Sequence, residues 1–182
     1  ALETIRGLVS DLNQELEQQG LQVRLILGME NHLDMDLPEA ARQGKALTMN
    51  GSRYILVELP FFQLPNYVHE VLFQLQLQGL TPVIAHPERQ AQIQEKPEVL
   101  AQLVERGALA QLTAGSLIGS FGNTARLVAC RLVERRLIHV LASDCHRSTG
   151  DRSPGLSPGQ TAATRLVGAE EARAMTIDTP QA

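Results

Sequence analysis

Apolar positions recur along this chain with two alternating periods. "ALETIRGLVSDLNQELEQQG" (1–20) carries Leu2, Ile5, Leu8, Val9, Leu12 and Leu16 at helical spacing and stops at Gly20, so it predicts an amphipathic helix. "LQVRLIL" (21–27) is a β-branched and leucine-rich run closed by Gly28, and it predicts a strand. The alternation then continues. Strands are predicted over 53–59, 81–86, 108–113 and 137–143, and helices over 66–79, 96–107 and 123–136. Pro97 sits near the start of its helix and Gly107 follows its end, the usual asymmetry of helix termini. "STGDRSPGLSPGQ" (148–160) reads as a loop rich in Gly, Pro and Ser, and "GQTAATRLVGAEEARAM" closes in short helical turns.

Strands alternating with helices predict an α/β protein with a parallel sheet, either a closed (β/α) barrel or an open doubly wound sheet. No GxGxxG or P-loop sequence follows any strand, which leaves nucleotide binding by those devices unsupported. The pattern predicts one domain over residues 1–182.

Composition narrows the picture. The 182 residues are 43% hydrophobic but only 3% aromatic, so Leu, Val, Ile and Ala carry the packing. A formal net charge of −4 argues against a nucleic-acid or anionic-membrane surface. No apolar run reaches the roughly 20 residues of a membrane-spanning helix. Cys130 and Cys145 are isolated, with no CxxC spacing, which points to a reducing, cytoplasmic setting.

Chemistry concentrates at one place in the pattern. Glu30 falls just past 21–27, Glu58 ends 53–59, His86 ends 81–86, and Asp144 and His146 follow 137–143. Four strands thus offer an acid or a histidine at the C-terminal end, where parallel α/β folds carry their sites. Carboxylates with imidazoles suit Mn²⁺, Fe²⁺ or Zn²⁺, the oxygen-rich mixture favouring Mn²⁺ or Fe²⁺. Each residue also has a plainer reading. His86 alone suits a hydrogen-bonded structural histidine, and Glu30 or Glu58 alone a solvated or paired carboxylate. In an extended segment Asp144 and His146 would point the same way and reach one ion. Arg89, three residues after His86, can clamp phosphate through paired hydrogen bonds or form an ion pair with Glu88 or Glu95. His69 reads as a surface or packing histidine and His139 as a core one, while His32, two positions after Glu30, could approach the site although its surroundings read as a polar loop. Cys145 is expected to point away from its two neighbours.

Taken together, "GxE", "YILVELPF", "LQLQGLTPVIAHPERQ", "GSLIGSFG" and "LVERRLIHVLASDCH", in that order, resemble the CpsB/CapC-type bacterial tyrosine phosphatases of the PHP (polymerase and histidinol phosphatase) superfamily. The resemblance runs from about residue 20 to residue 147. It implies a distorted (β/α)7 barrel with a manganese cluster at the C-terminal strand ends. Glu30, Glu58, His86, Asp144 and His146 would be metal ligands, and Arg89 would bind the substrate phosphate. The implied substrate is phosphotyrosine on a bacterial tyrosine autokinase that governs capsule or exopolysaccharide export.

The family's leading strand, with its H-x-H pair, has no counterpart here. The expectation is therefore an N-terminally incomplete barrel whose unpaired edge favours association between copies. Two other readings follow: a phosphatase for a small phosphomonoester such as histidinol phosphate, and a non-catalytic module that binds a partner.

Overall fold

The computed structural model describes residues 2–150 and 152–181. Five parallel strands form one sheet in the order of the chain: β1 (Glu30–His32), β2 (Tyr54–Glu58), β3 (Thr81–Ala85), β4 (Leu109–Thr113) and β5 (Val140–Ala142). Sequential parallel order requires a crossover after each strand. These are supplied by α2 (Leu37–Arg42), α3 (Val68–Leu77), the pair α4 (Ala91–Glu95) and α5 (Glu98–Glu105), and the pair α6 (Ala114–Leu117) and α7 (Gly122–Glu134). Helix α1 (Leu2–Gln18) precedes the sheet. Helices α8 (Ser157–Val167), α9 (Ala169–Arg173) and α10 (Thr179–Gln181) follow it, with a π-helical turn at Ala174–Asp178 before the last.

The two faces of the sheet differ. Successive strand residues point to opposite faces, and the register aligns Val57, Ile84 and Ala110 in one row. That face also carries Ile55, Leu112 and Leu141. It is buried against Val71, Leu72 and Leu75 of α3, Leu100 and Leu103 of α5, and Ala129, Leu132 and Val133 of α7. The opposite face carries Tyr54, Leu56, Glu58, Leu109, Gln111 and Val140, which are only partly buried, together with the buried Val83, Ala85 and Thr113. Its polar end supplies the site described below.

One close approach fixes the C-terminal helices. A Cβ on Gly159 of α8 would lie 2.6 Å from Ala114 Cβ and 2.7 Å from Ala114 O, so only glycine lets α8 meet α6 at this distance.

Two expectations need correcting. The strand predicted at 21–27 does not form: the segment joins no strand, and Leu21, Val23, Leu25 and Ile26 are exposed. Its one regular-looking pairing is with a side chain. The Asn13 amide donates to Leu25 O at 2.9 Å, and Leu25 N–H donates to Asn13 Oδ1 at 2.7 Å. The first strand is instead Glu30–His32, so Glu30 opens a strand rather than following one. Helix α1 forms as predicted, but none of its residues is buried. At the other end, the loop predicted over 148–160 yields to α8 from Ser157, with Pro158 in its first turn.

Candidate metal and phosphate site

The chain leaves β3 in a conformation that is costly for its sequence. His86 has φ 31° and ψ 55°, left-handed backbone in a residue that precedes proline. Such a residue normally favours extended geometry. Asp144, beyond β5, has φ 52°. Two of the four non-glycine residues with positive φ among the described residues are thus site candidates, and such strain concentrates where a side chain must be aimed.

The turn Pro87–Arg89 is held from several directions. Gln90 Oε1 caps Ile93 N–H at 2.8 Å while its amide donates to Pro60 O at 3.2 Å. Ala91 N–H donates to Phe61 O at 2.8 Å, and the Gln94 amide to Glu88 O at 2.8 Å. Glu88, with no exposure, accepts from Ser116 Oγ at 2.6 Å and Thr113 N–H at 3.3 Å through one oxygen. Burial pushes its carboxyl up to about 7, against the lowering effect of those hydrogen bonds.

Three of the predicted ligands come together. His86 Nε2 lies 2.8 Å from Glu30 Oε1 and 3.3 Å from Glu58 Oε1. One donor atom from each of Glu30, Glu58 and His86 falls within 4.8 Å of the others. Burial, helped by the Arg89 charge, holds the His86 imidazole below its ordinary value although Glu30 pulls the other way. A neutral imidazole facing two carboxylates is a donor set suited to a divalent cation, and the residues fit one. His32, which we expected in a polar loop, belongs to β1 and places Nδ1 3.1 Å from the second oxygen of Glu58.

Asp144 and His146 form a neighbouring group. The segment is not extended at Asp144, so the alternation expected to aim both side chains alike does not hold. His146 Nδ1 instead lies 2.9 Å from the Asp144 carbonyl oxygen, and Cys145 Sγ donates to Arg147 O at 3.3 Å. The Asp144 carboxylate receives two guanidinium groups on the same oxygen: Arg89 NH1 at 3.1 Å and Arg152 NH2 at 2.8 Å. Arg89 therefore pairs with Asp144 rather than with Glu88 or Glu95. The Nε–H groups of both arginines are buried with no partner. Buried donors normally find an acceptor, and two guanidinium groups with spare donors converging on one point can receive a tetrahedral oxyanion.

Sequence reasoning missed Arg152, Phe61 and Phe121. The Phe61 ring lies parallel to the His86 imidazole, with centroids 5.7 Å apart and 4° between planes. The Arg89 guanidinium carbon lies over both phenyl rings, 5.5 Å from the Phe61 centroid and 5.1 Å from that of Phe121. The available signal was the scarcity of aromatic residues, which makes a phenylalanine just past a strand end conspicuous.

Comparison with known proteins points the same way. The family described as "Capsular polysaccharide synthesis, CpsB/CapC" matches residues 1–182. Tyrosine-protein phosphatase YwqE of Bacillus subtilis is 39% identical over 142 residues, covering 78% of this chain and 56% of that protein. The chain thus spans little more than half the length of that relative. Tyrosine-protein phosphatase CpsB of Streptococcus pneumoniae is 26% identical over 192 residues, covering 97% of this chain and 79% of that one. A solved structure superposes with a TM-score of 0.86 at 34% identity over 92% of this chain and 67% of the other. It comes from work on YwqE from Bacillus subtilis and CpsB from Streptococcus pneumoniae, described as unique metal-dependent tyrosine phosphatases.

Proposed function

This chain belongs to the CpsB/CapC capsular polysaccharide synthesis family, and from that membership we propose a metal-dependent phosphatase that removes phosphate from tyrosine side chains. The observation that carries this reading is the pairing of two groups at one sheet end. Glu30, Glu58 and His86 bring three donor atoms together, and beside them Arg89 and Arg152 converge on a single oxygen with donors to spare.

Glu30, Glu58 and His86 hold the metal in this reading, with Asp144 and His146 as further ligands. We favour Mn²⁺, with Fe²⁺ or Zn²⁺ as alternatives. A divalent cation in such a site supplies Lewis-acid polarisation of a phosphoryl oxygen and lowers the pKa of water. The chain's own residues do the rest. Arg89 and Arg152 bind the non-bridging phosphoryl oxygens and offset the charge that spreads over them as the ester bond breaks. His32 orients Glu58 through its second oxygen. In this reading water is the nucleophile and no covalent phospho-enzyme forms. Cys145 is turned to a backbone carbonyl.

The substrate we propose is a phosphotyrosine protein, a bacterial tyrosine kinase acting in capsule or exopolysaccharide synthesis. The names of the similar proteins, tyrosine-protein phosphatases, and the family's description, capsular polysaccharide synthesis, support the phosphotyrosine and the capsule setting; the kinase is our own extension of them. A cytoplasmic setting agrees with the two free thiols, and no helix of the described residues is long and apolar enough to cross a membrane. We also read the five-stranded sheet as an arc of a distorted (β/α)7 barrel. Its sequential parallel strands and helices packed on one face support that reading.

The test is hydrolysis by the chain loaded in turn with Mn²⁺, Fe²⁺ and Zn²⁺, comparing a phosphotyrosine peptide with histidinol phosphate. Phosphate release from the peptide, abolished by a chelator, is expected. Preference for histidinol phosphate would transfer the chain to the small-substrate class, and inactivity with every metal would sink the catalytic reading.

A further inference from the structure

Arg89 is the residue whose surroundings are most elaborate. Two of the chain's four phenylalanines face its guanidinium, in a protein with no tryptophan. Phe61 comes from the loop after β2 and Phe121 from the end of the "GSLIGSFG" turn, so two separate crossovers converge on one side chain. Both centroids lie within the roughly 6 Å at which a ring quadrupole attracts a cation.

The same turn supports the clamp from behind. Gly115 lies beneath Phe121, since a Cβ there would be 3.1 Å from Phe121 Cε2. The next residue, Ser116, holds the buried carboxylate of Glu88, which precedes Arg89 in the chain. The turn therefore touches the arginine at its backbone neighbour and at its guanidinium.

We propose that Phe61 and Phe121 are positioning residues, whose ring faces fix the direction in which Arg89 offers its N–H donors to a phosphoryl group. A guanidinium on a long side chain otherwise loses rotamer entropy each time it binds an anion. Two rings incur that loss at folding instead, so the fork is already aimed when phosphate arrives. The two phenylalanines are not equivalent. Phe61 also stacks on His86, so it serves both the metal group and the anion group, whereas Phe121 serves Arg89 alone.

The proposal rests on the phosphatase reading for its anion, while the clamp itself is testable without turnover. The Arg89 Nε–H resonance, assigned by its loss in Arg89→Lys, should be shifted upfield by the rings. Binding of inorganic phosphate and of Mn²⁺ is then measured by calorimetry on the full chain and on Phe121→Leu, Phe121→Trp, Phe61→Leu and Gly115→Ala.

Phe121→Leu should remove the upfield shift and weaken phosphate binding by about three- to tenfold, the scale of one cation–π contact, with Mn²⁺ affinity unchanged. Phe121→Trp should restore both. Phe61→Leu should weaken phosphate and Mn²⁺ together. Gly115→Ala, which displaces the Phe121 ring without deleting it, should shift the Arg89 resonance and so serves if a phenylalanine variant fails to fold.

An unshifted resonance in the wild type, absence of phosphate binding, or full phosphate affinity in Phe121→Leu would each overturn the proposal. Equal loss in the leucine and tryptophan variants would do the same, because it would mark simple packing. The expected pattern in a chain that hydrolyses no phosphotyrosine would leave the clamp standing and remove the phosphatase reading alone.

Discussion

Ser116 Oγ donates to Glu88 Oε1 across 2.6 Å in a pocket where neither residue is exposed. This hydrogen bond ties the turn after β4 to the turn after β3. It secures Arg89 through its chain neighbour rather than by contact. Replacing Glu88 by Ala strands the Ser116 hydroxyl and the Thr113 N–H without an acceptor, at a cost of about 1–3 kcal/mol for each group. Glu88→Gln keeps the acceptor oxygen and avoids burying a charge. In urea unfolding at pH 7.5, Glu88→Ala should therefore lose about 2–5 kcal/mol, and Glu88→Gln should lie near the wild type or above it. Equal loss in both would show that the carboxyl matters as a charge.

His139 sets a pH dependence remote from the site. Its Nδ1 accepts from Ala110 N–H at 3.1 Å, and burial holds the imidazole below its ordinary value of 6.5. A depressed folded-state value means that the unfolded chain takes up the proton first. The contribution to stability is present above 6.5 and lost as pH falls through the folded-state value. Between pH 7.5 and pH 5 His139 thus pulls the wild-type urea midpoint down, while Glu88, whose carboxyl burial raises to about 7, pulls it up. The midpoint of His139→Asn at pH 5, relative to its own value at pH 7.5, should lie above that of the wild type. The Oδ1 of Asn can accept from the same N–H, so the variant removes the titration and keeps the hydrogen bond. Parallel curves would exclude His139 as a source.

Much of this fold is legible in the chain, because the strands and helices alternate with clear stops. Strands β2, β3 and β4 lie within one residue of their predicted limits, and α3, α5 and α7 within two. The failure at 21–27 has a local cause. Strand propensity is a preference for packing on a pleated surface, and among the described residues no strand lies beside the segment: Leu25 pairs its N–H and C=O with the Asn13 side chain, and Leu27 O accepts from Asn50 N–H. Glu58 and His86 were visible because acids and imidazoles at strand ends announce themselves, whereas Glu30 was placed there by a strand at 21–27 that does not form and in fact opens β1. Arg152 was not visible, for it lies in a Gly- and Pro-rich segment and meets Asp144 and His146 only through tertiary structure. Phe61 and Phe121 looked like ordinary apolar residues. Their role appears only when the chain brings them over one guanidinium.

The ligand group predicts a graded response to metal. Glu58→Gln removes a charged donor from the trio and should lower Mn²⁺ affinity by well over tenfold. His32→Ala removes only the partner of Glu58's second oxygen, 3.1 Å away, and should lower affinity by about tenfold, as outer-shell losses do. Calorimetric titration of the chelator-treated chain measures both. Unchanged binding in Glu58→Gln would dismiss the trio as the metal site.

Arg89 and Arg152 share one acceptor oxygen, so their losses should not add. In the proposed phosphatase, either arginine replaced by Ala would remove charged hydrogen bonds to the phosphoryl group and should reduce kcat/KM for a phosphotyrosine peptide by about 10²–10³-fold. Neither change removes a proposed ligand, and each only frees the Asp144 carboxylate from a guanidinium, so Mn²⁺ content should not fall below the wild-type level. The double variant should fall short of the product of the two single losses, since once one guanidinium is gone the Asp144 carboxylate competes more strongly for the other. Arg89→Lys should remain impaired, because an ammonium keeps the charge but loses the planar fork that Phe61 and Phe121 face. Full additivity would mean that the arginines bind independent groups, and loss of Mn²⁺ in Arg89→Ala would mean that Arg89 holds the turn rather than the phosphate.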